Sequence, residues 1–255
     1  MSESADIAQS PTLPLPPPKS GLQRVAGVLF SPGETFSDIA RKPDILIPLL
    51  LIIVVGFVSV ILVAPHLDFD AMLSQQREMM KEKNPNMSEQ DMERVERFQK
   101  GAMKAGPWFG PIIIVVMTVI TAGVLLLAFR LFGGEGSFMQ AWSTVLYAWI
   151  PRVIQSIIVS IIVLARGKVN PMEMDTVVKS NLGFLVDIKE HPGLFSLLAS
   201  IDLFTIWYIV LLIIGFAIVA KVSRAKSATI VLSIWLLIIL IKSGAAGLMG
   251  RMRRS

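Results

Sequence analysis

Along most of the chain, polar positions are confined to the breaks between five long apolar stretches: Ile45 to Ala64, Trp108 to Phe132, Phe138 to Leu164, Ile201 to Ala220 and Ser227 to Leu248. A bilayer's hydrocarbon core is about 30 Å thick, so roughly 20 apolar residues in a helix cross it. Each stretch is long enough. Backbone groups in lipid must be satisfied internally, which leaves helices or closed barrels, and none of the runs alternates with the period of two that barrel strands require. The pattern predicts an all-α fold, a polytopic helical membrane bundle with five transmembrane helices.

The segments between spans carry their own patterns. Residues 1–19, with Pro11, Pro14, Pro16, Pro17 and Pro18, contain no apolar run of signal-peptide length. They are read as a disordered spacer in preference to a polyproline ligand, leaving the first span as an uncleaved anchor. Leu22, Val25 and Leu29 then recur at helical spacing, and Ser31-Pro32-Gly33-Glu34 has the form of a capping box opening a second helix. That helix, with Phe36, Ile39 and Ala40 on one face, is expected to end before Pro43. Two placements fit an amphipathic helix ahead of a span: in the headgroup layer, with Arg41 and Lys42 toward lipid phosphates, or packed on the bundle.

Residues 66–105 read as an extramembrane helical hairpin. Phe69, Met72, Leu73 and Met80 form one apolar stripe and Met92, Val95, Phe98 and Ala102 another; Asn84-Pro85-Asn86 separates them, and Ser88-Glu89-Gln90-Asp91 resembles a second capping box. Glu93 with Arg97 and Glu96 with Lys100 are spaced to pair along the helix. The carboxylates of Asp68, Asp70, Glu78, Glu82, Glu89 and Asp91 are interleaved with Lys and Arg and lack an EF-hand's spacing. They are read as a solvated face and not as a cation site.

The third stretch holds the most unusual chemistry, Pro151 and Arg152 in the middle of an apolar run. A central Arg costs about 2.5 to 3.5 kcal/mol to insert, while Leu, Ile and Val each return about 0.3 to 0.6. The nine such residues from Val153 to Leu164 therefore return on the order of 3 to 5 kcal/mol, and the helix inserts provided the charge is sheltered. Pro151 frees a carbonyl and kinks the helix, offering Arg152 or a water something to bind. An intramembrane charge is either structural glue or a functional group. Asp202 and Glu135 are its candidate carboxylate partners. Asp202, following Ser200 at the start of the fourth span, is separately read as a helix N-terminal acid.

Composition narrows the function classes. Hydrophobic residues make up 53% and charged ones 17%, with a net charge of +5. The cations are scattered among loops, which argues against a nucleic-acid partner. With no cysteine there is no disulfide and no Cys-ligated metal. His66 and His191 lack neighbours at ligand spacing, and no nucleophile stands beside a base, so no catalytic, metal or cofactor site is assigned and the protein is expected not to be an enzyme. Gly133-Gly134-Glu135-Gly136 reads as a tight turn; Gly106 with Gly110 and Ser243 with Gly247 have the spacing of close helix packing. Lys221, Arg224 and Lys226 in a short acid-free loop mark a cytoplasmic face and with it a cytoplasmic N-terminus. The basic tail 249–255 would then lie outside, against the same rule, unless Ser227 to Ile241 re-enters instead of crossing.

Ser31 to Phe36, Gly134-Glu135-Gly136-Ser137-Phe138 leading to Tyr147-Ala148-Trp149-Ile150-Pro151, and Asp202-Leu203-Phe204-Thr205-Ile206-Trp207 together resemble the bacterial branch of the Yip (Ypt-interacting protein) domain family, over about residues 20–245 of a membrane domain taken as 20–248. The resemblance implies a five-span membrane domain with a cytosolic N-terminus, in a bacterial inner membrane. The Asp-Leu-Tyr-Gly-Pro motif of the eukaryotic branch is missing, so a Rab GTPase partner is not implied. Tyr147, Pro151, Arg152, Asp202, Phe204 and Trp207 are the candidate functional or structural residues. The leading expectation is a non-enzymatic protein binding membrane lipids and other membrane proteins, self-association included; the alternative is a small transporter or lipid-moving protein with a polar path at Arg152.

Overall fold

The computed structural model describes residues 17–83, 86–171, 174, 177–188 and 190–254. Two short helices, α1 (Gly21–Phe30) and α2 (Pro32–Arg41), precede the first span, α3 (Leu46–Val63). The helix starting at Pro32 and stopping before Pro43 is therefore present. The capping box is not at Ser31, whose side chain makes no cap bond. It forms one helix earlier, with Ser20 accepting from the Gln23 N–H and Gln23 reaching back to the Ser20 N–H. At Ser31 the carbonyl instead accepts the Thr35 hydroxyl at 2.9 Å. Of the two placements, packing on the bundle is what Phe36 and Ile39 adopt, both fully buried in the main core with residues of the later spans.

The hairpin consists of α4 (Phe69–Lys83) and the start of α5 (Glu89–Leu131). Asn84 and Pro85 of the expected break lie outside the described residues. Ser88 caps α5 by accepting the Asp91 N–H. The second arm of the hairpin and the second apolar stretch are continuous: α5 is one helix of 43 residues containing Pro107 and Pro111, about 65 Å long. A proline removes one helical hydrogen bond but need not stop a transmembrane helix. The hairpin's ion pairs also differ from expectation. They run between the helices, from Arg77 to Glu89 and Glu96, Lys81 to Glu89 and Lys100 to Asp70. Leu73 and Met92 are its buried apolar contacts, whereas Phe98 is 78% exposed.

The third stretch is two helices, α6 (Phe138–Ala148) and α7 (Ile150–Arg166), meeting at Trp149. Pro151 cannot donate to the carbonyl four residues back and its ring crowds that turn, so the first helix must end before it; in the first turn of a new helix the missing N–H costs nothing. Arg152 N accordingly donates to Trp149 O at 2.9 Å. Ser137 and Gln140 cap α6 reciprocally. The preceding turn has Gly133 at φ 77 and Gly136 at φ 111, left-handed conformations that favour glycine.

Beyond α7 the chain makes an irregular segment ending in α8 (Pro192–Ala199), an element the sequence reading did not anticipate, before α9 (Leu203–Val219) and α10 (Arg224–Arg254). Among the described residues, four helical segments are long and apolar enough to cross a membrane; α9 is a shorter apolar helix. Its 17 residues cover about 25 Å, short of the ~30 Å core. The α10 helix continues unbroken through Lys242 to Arg254, with no break at Ile241. The small residues Ser243 and Gly247 lie against Gly193 of α8, where an added Cβ would stand 3.1 Å from the Ser243 carbonyl. Gly106 and Gly110 face open space instead; the close approach on α5 is Pro111 against Gly56 of α3.

Loop residues 132–137 and 220–223 meet at the end of the bundle where α1 and α2 pack, through Glu135 N to Ala220 O at 2.9 Å and the Lys221–Glu135 ion pair. At the opposite end, Asp68 N and Val169 N cross-bond the base of the hairpin to the segment after α7.

Candidate functional site

A cavity of about 690 Å³ lies between α5, α7, α9 and α10, with the segment leading into α9 forming part of its wall. Its polar groups come mainly from α7 and α9. Arg152 and Gln155 share a face of α7, three residues apart, because side chains at that spacing project together. The Arg152 guanidinium donates to Gln155 Oε1 at 3.1 Å and lies over the Trp149 ring, 5.8 Å from its centroid. Its buried Nε has no hydrogen-bond partner, and it forms no salt bridge among the described residues.

Of its two candidate carboxylates, Glu135 is engaged elsewhere by Lys221. Asp202 reaches the site, but indirectly: Gln155 Nε2 stands between, 3.4 and 3.3 Å from the two Asp202 oxygens. Asp202 is the N-cap of α9, accepting the Thr205 N–H at 3.0 Å, as expected of an acid at a helix start. It is also only 3% exposed and takes further hydrogen bonds from the Thr205 and Ser180 hydroxyls. The first turn of α9 needs polar company for its unpaired backbone N–H groups. The loop carrying Ser180, bridged to α9 by Leu203 N to Ser180 O at 3.0 Å, supplies it.

Aromatic and aliphatic side chains also line it, among them Tyr208, Trp235 and Ile239, together with Asn181 and Ser200. Trp149 meets Tyr208 edge to face, with ring centroids 5.2 Å apart. Lys242 and Ile238 of α10 also belong to the lining, and both are exposed on the outer surface.

The expected residues thus separate into three groups. Arg152 and Asp202 come together at the cavity, with Pro151 behind them, buried in the helix start. Phe204 is buried, and Trp207 packs on the main hydrophobic core; neither lines the cavity. Tyr147 is fully buried about one turn before Arg152 and belongs to a different network: its hydroxyl donates to Asp44 Oδ2 at 3.1 Å, and the Ser143 hydroxyl donates to the Asp44 carbonyl at 2.7 Å. This links α6 to the connection between α2 and α3.

Next to it lies a second polar cluster that sequence reasoning missed. Arg24 Nε and Nη2 both reach Asp38 Oδ2 at 2.8 Å, Arg41 Nη2 reaches Oδ1 at 2.8 Å, and Lys19 N donates to Oδ2 at 3.1 Å. Burial by itself raises the Asp38 pKa, but hydrogen bonds from Arg41 and Arg24 and the Arg24 charge outweigh it and hold the carboxyl below its ordinary value. Gln155, Tyr208, Trp235 and Lys242 were also missed. For Gln155 a signal existed: a lone amide on an apolar helix, on the same face as the lone Arg.

The family model of the Yip1 domain matches residues 26–244. Comparisons with curated proteins and with solved structures returned no match.

Proposed function

The chain belongs to the Yip1 domain family, and on that premise we propose that it is a non-enzymatic integral membrane protein that holds a ligand inside the bilayer, in the cavity at Arg152, as a small transporter or lipid-handling protein does. The observation that carries this reading is the guanidinium in the cavity wall, bonded to one neutral amide and to no carboxylate. A charge placed in a bundle without a paired acid is expensive, and Leu at the same position would avoid the cost. A ligand that completes the guanidinium's hydrogen bonds accounts for its retention. The cavity's size and mixed lining, aromatic and aliphatic side chains beside convergent polar groups, suit a small molecule, for which about 300 to 1,000 Å³ is usual.

In this reading membrane lipids are the principal partners. Association with other membrane proteins or a second copy would use the apolar outer faces of α3, α5 and α10, which lipid covers equally well. The protein sits in a bacterial inner membrane with α1, α2 and the basic 220–226 turn on the cytoplasmic side.

The test uses the absence of native cysteine. A single Cys at position 152 should be labelled by a membrane-impermeant reagent, and Arg152→Leu should melt at or above the wild-type temperature in detergent. A Leu variant destabilised by about 3 kcal/mol or more, with a thiol unreactive from both sides, would make Arg152 a structural tie and end this reading.

A further inference from the structure

Resting on the ligand-binding reading above, we infer that the ligand is an acidic phospholipid, whose phosphate takes the open edge of the Arg152 guanidinium while its chains leave the cavity past α10. The charges of the lining set the sign. Among the described residues that line it, Arg152 and Lys242 are the cations and Asp202 is the carboxylate. Both oxygens of that carboxylate already accept hydrogen bonds: one from the Thr205 N–H and hydroxyl, the other from Ser180, and both from Gln155. Asp202 therefore has little capacity left for a cationic ligand, and the two cations would repel one. An anion finds the opposite situation. Only Nη1 of Arg152 is occupied, by Gln155, and the planar fork of the remaining N–H groups matches two oxygens of a phosphate. Trp149 beneath the guanidinium plane and Gln155 beside it hold that fork in place.

The walls and the mouth identify the rest of the ligand. Beside these polar groups the lining carries Trp149, Val159, Trp235, Ile238 and Ile239, apolar wall suited to a hydrocarbon tail. Ile238 lines the cavity while 57% exposed on the flank of α10. Lys242 follows one turn further along that helix, so the opening adjoins a surface that lipid covers. A phospholipid reaches it by lateral diffusion in the membrane, its phosphate passing from Lys242 to Arg152.

Native mass spectrometry of the full chain released from mild detergent tests this, with short-chain phosphatidylglycerol, phosphatidylcholine of the same chains, and inorganic phosphate each titrated separately. One phosphatidylglycerol should bind about tenfold more tightly than phosphatidylcholine, a difference of about 1.4 kcal/mol. Arg152→Leu, checked for retained helicity by circular dichroism, should abolish that preference. Lys242→Gln, at an exposed position, should weaken phosphatidylglycerol several-fold. Inorganic phosphate binding as tightly as phosphatidylglycerol would make the ligand a soluble phosphate compound and overturn the lipid assignment. Equal binding of the two lipids, both weakened by blocking the mouth with Ile238→Trp, would overturn the acidic head group and leave the cavity as the binding site. Phosphatidylglycerol binding unchanged by Ile238→Trp and Arg152→Leu alike would overturn this inference and the ligand-binding reading together.

Discussion

Replacing Arg24 by Met tests whether the α1–α2 platform is held to the bundle by a buried charge cluster. Arg24 and Asp38 have side chains only 2% and 5% exposed. Removing one partner of a buried pair costs about 3 to 5 kcal/mol, because the other charge stays buried and unpaired. Here the loss is partial. Arg41 stays on Oδ1 at 2.8 Å and the Lys19 N–H on Oδ2 at 3.1 Å, while Met retains part of the apolar contact of the arginine stem. The cost falls at or below the lower end, about 2 to 3 kcal/mol, which at about 2 to 4 °C per kcal/mol for a chain of this size lowers the melting temperature by roughly 4 to 12 °C. Thermal unfolding in detergent at pH 7, followed by circular dichroism, reads it directly. Arg24→Met combined with Asp38→Leu should recover most of the loss, since an apolar pair replaces the ionic one without stranding a charge. The pH dependence has a definite sign. The folded Asp38 pKa lies below its ordinary 3.8, so its contribution is complete above that value and is lost as pH falls through the lower, folded one. Between pH 7 and pH 3 the wild type should therefore lose more stability than the Met variant. A single variant within about 0.5 kcal/mol of wild type, the scatter of ordinary surface changes, or a double variant worse than the single, would refute the argument.

Two further perturbations separate packing from sequence pattern. A Cβ at Gly215 of α9 would lie 2.5 Å from Thr144 Cγ2 and 3.1 Å from the Phe36 ring, so Gly215→Ala should destabilise by about 1 to 3 kcal/mol through overpacking; at Gly110, where nothing lies within 4 Å, the same change should be neutral or stabilising by up to about 1 kcal/mol. Melting curves that rank the two the other way would mean α9 does not pack on α2 and α6 as described. In the hairpin, Met92→Asp places a carboxylate at a buried position and should open α4 from α5 at a cost of roughly 2 kcal/mol or more, whereas Glu93→Ala, on the exposed face, should change little. Limited proteolysis in membranes that cuts both variants equally would show that the stripe of Leu73 and Met92 does not hold the hairpin.

The sequence by itself determined the fold class and the approximate positions of the apolar spans, because both follow from how many apolar residues a bilayer requires. It also located the turn at Gly133 to Gly136, the Ser88 cap, the N-cap at Asp202 and the oddity of Pro151 and Arg152, since each of these is set by a residue's own backbone preference or desolvation cost. Tertiary structure decided what local preference leaves open. Whether Pro107 and Pro111 end a helix depends on the neighbours that compensate a lost hydrogen bond, and here α5 continues through both. Which cation meets Asp70 or Glu89 depends on the angle of the hairpin, which turned pairs expected along one helix into pairs across two. The cavity was the least legible feature. It brings together residues from four helices and the segment after α7, and its partnership of Arg152 with Asp202 runs through Gln155, a relation across 47 positions of chain. Where α9 begins relative to α7 decides that relation, and this placement is a property of how helices stack against one another, not of any one stretch of sequence.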